Sequence, residues 1–209
     1  MKRMVFLAVG MCLAVLVAGG SRLAAEPAAA PADRLLESTQ GRPDAKVTVE
    51  EYSSLGCPHC SDFHLQILPR IKAQYIDAGK VRWIVRDFPL GQLPLAGAVV
   101  ARCAGPGGYL ELLEVLFRAQ EQWMDAQDPI GSLETIAQKA GIQRPQFESC
   151  LMDDALIKRI LDRARDAQKA HKVSATPTFI VNGEKVVGLM SFDEFARILD
   201  RHLAKASTP

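Results

Sequence analysis

Cys57-Pro58-His59-Cys60 stands where a strand pattern stops and a helix pattern starts, and that placement constrains this chain more than any other feature. From Lys46 to Ser53 the residues alternate, with Val47, Val49 and Glu51 on one face and Thr48, Glu50 and Tyr52 on the other. Gly56 supplies a turn, and Pro58 suits the first position of a helix, where a backbone N–H would be unpaired anyway. Phe63, Ile67, Ile71 and Tyr75 then recur at helical spacing, and Gly79 is the expected stop. Cys57 thus falls at a helix N-terminus, where unpaired N–H groups and the peptide dipoles favour an anion. A thiolate there is stabilised and its pKa falls; a protonated His59 would add to this. Stabilising the reduced thiolate makes the disulfide a stronger oxidant, by ~30 mV for each 1.4 kcal/mol. On this reading Cys57 is the exposed nucleophile and Cys60, one turn into the helix, the buried resolving thiol.

The order along the chain is strand, active turn, helix, strand, helical block, strand pair, helix. Val81 to Phe88 reads as the second strand, closed by Pro89. From about Leu93 to Val173 the pattern is helical, broken at Gly105-Pro106-Gly107-Gly108, at Asp128-Pro129, and at Gly141 and Pro145. It is too long for a crossover loop and predicts an insertion of four or five helices. Thr178 to Val181 is a short β-rich run, Asn182-Gly183 a two-residue hairpin signal, and Val186-Val187 the returning strand. Ser191 and Glu194 form a capping box for a last helix through about Leu203. The chain divides at 46–92 and 174–209, two halves of one α/β fold, with the helical insertion 93–173 between them.

The first residues carry a different signal. Lys2 and Arg3 precede an uncharged run from Met4 to Gly20, followed by small residues through Ala25. That is the pattern of a secretory signal over 1–25, with cleavage between 25 and 30, although the run is also at the short limit of an uncleaved anchor. Residues 26–45, rich in Ala and Pro, read as a tail and approach segment. Export implies a periplasmic or otherwise extracytoplasmic location, where disulfides persist. Of the five Cys, Cys12 lies in the apolar run and leaves with the signal, so Cys57, Cys60, Cys103 and Cys150 remain.

Other chemistries are poorly served. Lys+Arg 25 against Asp+Glu 24 gives no basic excess for a nucleic acid partner. Gly105 to Gly108 lacks the Lys and hydroxyl of a phosphate loop and reads as a plain loop. A structural zinc site needs four ligands; one Cys pair with His64 nearby falls short, so no metal and no cofactor is expected. His171 and His202 stand isolated and read as surface residues, and Trp83 and Trp123 read as packing residues.

Cys57-Pro58-His59-Cys60, Thr176-Pro177, the Asn182-Gly183 hairpin and the helical insertion together resemble the DsbA type of thiol:disulfide oxidoreductase in the thioredoxin-fold superfamily. The resemblance covers about Lys46 to Leu203. It implies a thioredoxin fold with a helical insertion, a cis Pro177 beside Cys57, and backbone at Ala175, Thr176 and Pro177 that pairs with an extended substrate. It implies thiol-bearing folding proteins as partners and a membrane protein that reoxidises the dithiol. It also matches Glu51 to a buried acid beneath the disulfide, where burial would raise its pKa and let it relay a proton to Cys60; Arg82 and Arg86 are candidate partners for that acid. Thr176 departs from the Val often found in the oxidases and is shared with isomerase and reductase branches, which keeps those activities as alternatives, beside a metal-binding dithiol module. The isomerases carry an N-terminal dimerisation domain, for which residues 26–45 are too short. Some relatives carry a second disulfide in the insertion, and exported thiols are seldom left unpaired, so a Cys103–Cys150 bond is expected, the alternative being two separate buried thiols.

Overall fold

The computed structural model describes residues 38–207. The expected signal over 1–25, with Cys12, and the approach segment up to 37 lie outside the described residues. The sheet holds β1 (Ser38–Gln40), β2 (Val47–Ser53), β3 (Val81–Asp87), β4 (Thr178–Val181) and β5 (Glu184–Val187), in the order β1-β3-β2-β4-β5. β2 and β3 run parallel, and the other neighbours pair antiparallel. A parallel pair needs a crossover. Here it is α1, residues 58–76, which starts as a regular helix at Pro58–Asp62 and passes through wider turns at Phe63–Ile67 and Lys72–Ile76. β1, inside the expected approach segment, was not legible as a strand. At three residues it is too short to show alternation, and it exists by pairing with the edge of β3.

Between β3 and β4 the chain forms α2 (Gln92–Cys103), α3 (Gly105–Arg118), α4 (Gln120–Met124), α5 (Pro129–Lys139), α6 (Arg144–Leu151) and α7 (Asp154–His171). The sequence suggests four or five helices; the additional one is α4, split from α3 by Ala119 alone. Gly105 to Gly108 is not a loop. Gly105 turns the chain at φ 69°, and Pro106 then occupies the first turn of α3, where its missing N–H costs nothing. α8 (Phe192–Lys205) opens with the capping box at Ser191 and Glu194. Asn182 and Gly183 take φ 45° and 90°, the left-handed pair that a two-residue hairpin requires.

Val47, Val49 and Glu51 do face the same side, toward α1 and α8. The core there is an aromatic cluster: Phe63 lies 4.7 Å from Phe179, 5.8 Å from Trp83 and 5.7 Å from Phe195, ring centre to ring centre. Trp83 and Trp123 are both fully buried. The opposite face of the sheet, carrying Tyr52 and Ile180, packs with Phe88 and with Ala167 of α7. Cys103 of α2 and Cys150 of α6 are disulfide-bonded, with Cα atoms 6.1 Å apart, and fasten the insertion to itself. Among the described residues no helix is long and apolar enough to cross a membrane. His202 is not a surface residue: it is buried, with Nε2 2.9 Å from Glu184 Oε2, because α8 lays it against β5.

Candidate functional site

Cys57 is the N-cap residue of α1, extended at φ −100° and ψ 117°, with Pro58 behind it in the first turn. Its backbone N–H donates to Ser54 O at 3.0 Å, and its carbonyl accepts from Cys60 N at 3.1 Å and Ser61 N at 3.2 Å, which fixes the turn. The two sulfurs sit in different worlds. Cys57, expected to be exposed, is itself buried and keeps 9% of its surface, whereas Cys60 keeps none. Both are free thiols in this structure. The Cys57 pKa is lowered from 9.0 to about 5. The Cys60 thiol contributes most by donating to the Cys57 sulfur, against the opposing effect of burial; the Thr176 side chain and the backbone N–H groups of Cys60 and His59 add to it. Cys60 goes the other way. Burial, and then the neighbouring Cys57 sulfur, push its thiol far up. The exposed His59 ring was expected to help Cys57, yet His59 acts through its backbone N–H.

The segment expected beside Cys57 is there. The Thr176–Pro177 peptide is cis, and the Cys57 thiol donates to Thr176 O at 3.3 Å. Thr176 is buried beside the Cys57 sulfur, while Ala175 is exposed at the rim. Shallow grooves flank α1 on both sides: one between Pro58, Leu65 and Phe117, the other between Ile67, Leu189 and Met190.

Glu51 is fully buried under α1, with partners other than the two arginines. His64 Nε2 lies 2.7 Å from Glu51 Oε1, and Trp83 Nε1–H donates to Oε2 at 2.9 Å. Arg82 and Arg86 pair in register with Thr48 and Tyr52, on the opposite face, and Arg86 donates to Glu50 at 3.1 Å instead. The period of two along β3 excludes them from Glu51. Nor is the carboxyl raised as expected. Burial pushes it up, but the charge and hydrogen bond of His64, with help from Trp83 and Ser53, hold it below its ordinary value.

Gln120 was not anticipated. It is buried at the start of α4, and its amide donates to Leu55 O at 2.7 Å and to Cys57 O at 3.1 Å. The helical insertion thereby holds the backbone of the active turn. Gly56 allows the same approach, since a Cβ there would meet Pro94 of α2 at 2.4 Å. Gln120→Ala should cost about 1–3 kcal/mol in denaturant unfolding, because it leaves a buried carbonyl unpaired. Gln120→Glu should cost more and slow thiol alkylation of Cys57, because a carboxylate cannot donate and adds a negative charge beside the thiolate.

Among the described residues no cluster of His, Cys, Asp and Glu could hold a metal ion. The arrangement offers dithiol chemistry: one acidic, reachable sulfur and one sealed sulfur. Comparison with known proteins agrees. The family model described as Thioredoxin matches residues 35–201. A protein-disulfide oxidoreductase of Rickettsia typhi is 32% identical over 164 residues, covering 78% of this chain and 60% of its own length. The chain therefore spans less than two thirds of that relative. The disulfide bond formation protein D of Bacillus subtilis is 25% identical over 174 residues, covering 78% of this chain and 75% of its own. Among solved structures, alpha-DsbA1 of Wolbachia pipientis superposes with a TM-score of 0.75 at 28% identity, covering 81% of this chain and 92% of that one.

Proposed function

We propose, from the premise that the chain belongs to the thioredoxin family and is of the DsbA type, that it is an extracytoplasmic oxidase passing its Cys57–Cys60 disulfide to folding proteins. The observation that carries this is the contrast between the two sulfurs: Cys57 at a helix N-cap, acidic and reachable, and Cys60 without any exposed surface. A substrate thiolate attacks Cys57, the nucleophile forms a mixed disulfide there, and Cys60 leaves. A second substrate thiol then attacks the bound sulfur, its own disulfide forms, and Cys57 departs as a stabilised thiolate. Good leaving-group character at Cys57 drives this direction, since a low-pKa thiol leaves faster.

The rim of Ala175, Thr176 and cis Pro177 supports docking of an extended client segment beside Cys57. Cys57-Pro58-His59-Cys60 then supplies chemistry and the rim supplies position. Reoxidation requires an electron acceptor, for which a membrane protein of the same compartment is the proposed partner. Export rests on the sequence pattern of 1–25. Glutathione equilibration tests the direction. A potential between about −120 and −200 mV supports an oxidase or isomerase, and one near −270 mV makes the protein a reductase. Refolding of two forms of a test protein, one reduced and one with scrambled disulfides, separates the first two: an oxidase speeds bond formation in the reduced form and leaves scrambled bonds in place.

A further inference from the structure

The rim at Pro177 accounts for one flank of Cys57 only. Pro177 O accepts from Gly188 N at 2.8 Å, which ties the rim to the loop lining the groove of Ile67, Leu189 and Met190. On the other flank the helical insertion meets α1 and encloses a groove of about 400 Å³ that starts at Pro58, the residue after Cys57. The geometry points to this second groove as a subsite for a Lys or Arg side chain of the client, close in sequence to the client cysteine. This deepens the client exchange proposed above and rests on it.

The walls suit the stem of such a side chain. Leu65 of α1 and Phe117 of α3 line the groove together with Pro58. A long basic side chain lays its methylenes on apolar surface and keeps its charged head in water. The polar lining suits that head. Asp62 of α1 and Glu121 of α4 both line the groove. Asp62 accepts from the Gln66 amide at 3.1 Å, and neither carboxylate has a cationic partner among the described residues. Arg118, the cation of the lining, pairs back to Glu114 one turn earlier on α3.

Gln120 adds an acceptor. It keeps 7% of its surface, and its Nε2 donates to Leu55 O and Cys57 O. Those two bonds fix the amide and leave Oε1 for the groove, where no donor among the described residues engages it. An ammonium or guanidinium carries donors and no acceptor, and meets here two carboxylates and an amide oxygen. A Glu or Asp of the client meets only like charge. The groove is also preformed. Ser61 Oγ donates to Phe117 O at 3.1 Å, so its two walls are hydrogen-bonded to each other and binding spends nothing on ordering them. An extended client lying across Cys57 pairs with the rim on one side and passes Pro58 on the other. The groove therefore receives residues from one side of the client cysteine.

The test follows reduction of the Cys57–Cys60 bond of oxidised full-length protein by short single-cysteine peptides. They carry Lys, norleucine or Glu at one position in turn, up to about three residues on either side of the cysteine, a span of about 10 Å in an extended chain. Each rate is divided by the same peptide's rate toward hydroxyethyl disulfide, which removes the effect of the added charge on the peptide thiol itself. Lys should exceed Glu by about fivefold, the effect of one or two exposed ion pairs, with norleucine between them, and on one side of the cysteine only. High salt should shrink the ratio, because exposed charges are screened. The ratio should vanish in Asp62→Asn/Glu121→Gln and invert in Asp62→Lys/Glu121→Lys. Taking ratios within each variant cancels any change in the reactivity of the dithiol. Equal normalised rates for the three side chains in wild type, an equal Lys preference at every position, or a wild-type ratio in the neutralised double variant overturns the subsite. Dithiothreitol serves as a reductant without side chains. If it and all the peptides reduce the bond with no preference, the subsite alone falls; if none of them reduces it, the exchange reading falls as well.

Discussion

Replacing Cys57 by Ser abolishes disulfide exchange, and replacing Cys60 by Ser leaves a protein that captures disulfide-bearing partners and holds them. The expectation follows from burial. Cys60 has no exposed surface, so a partner sulfur has only Cys57 to attack, and in Cys57→Ser the exchange rate should drop to the uncatalysed background. In Cys60→Ser the mixed disulfide at Cys57 has no internal thiol to expel the partner, and intact mass should show one partner per chain after incubation with a disulfide-bearing peptide. Cys60→Ala adds a second reading. The Cys60 thiol is the largest contributor to the acidity of Cys57. A Ser hydroxyl replaces that donor and an Ala methyl does not. At pH 6 iodoacetamide should therefore alkylate Cys57 at least about tenfold more slowly in Cys60→Ala than in Cys60→Ser, as thiolate population falls with rising pKa. Adducts recovered on Cys60 of the Cys57→Ser variant would reverse the assignment of roles.

The parts of this site that local rules govern were legible in the sequence. Cys57 to Cys60 advertise themselves by spacing, Pro58 by its fitness for a helix start, Asn182-Gly183 by tolerance of positive φ, and Ser191 with Glu194 by reciprocal capping. Alternation along β2 placed Glu51 on the core face. The same alternation, carried across to β3, would have excluded Arg82 and Arg86 as its partners, because they fall beside Thr48 and Tyr52. His64 was within reach too: four residues after Cys60 on a helix means the same face. Its weight as a partner to Glu51, and the resulting depression of that carboxyl, depend on the distance between β2 and α1, which no local pattern encodes.

Gln120 lies beyond sequence reasoning of this kind. It sits 65 residues from Leu55 and 63 from Cys57 along the chain, and only the packing of the insertion brings its amide to their carbonyls. β1 has three residues and borrows its order from β3. Gly105 to Gly108 reads as a break by composition, yet one left-handed residue suffices for the break and Pro106 is then free to begin a helix. What was missed is tertiary: long-range hydrogen bonds and elements shorter than their own period.

The acidity of Cys57 should also make the reduced protein more stable than the oxidised one at neutral pH, by a margin that disappears on acidification. A thiol lowered from 9.0 unfolded to about 5 folded gives stability that is complete above the unfolded value and is lost as pH falls through the folded one. At pH 7 the unfolded chain carries this thiol protonated and the folded chain carries it ionised. Each unit of the difference corresponds to 1.36 kcal/mol, so the stabilisation at pH 7 is about 3 kcal/mol. At pH 4 it is close to zero. The oxidised form has no Cys57 proton to bind, and groups common to both forms, such as the Glu51–His64 pair, cancel to first order in the difference. Urea unfolding of both redox forms at pH 7 and pH 4 measures it. The gap between reduced and oxidised stability should move by about 3 kcal/mol in favour of the reduced form at the higher pH. The equilibrium potential carries the same information, because Cys60 stays protonated throughout. Reduction takes up one proton above about pH 5 and two below it, so the potential should change by ~30 mV per pH unit above that point and ~60 mV below it. A single slope of ~60 mV through neutral pH would mean that Cys57 is an ordinary thiol, and the oxidase reading would lose its driving force.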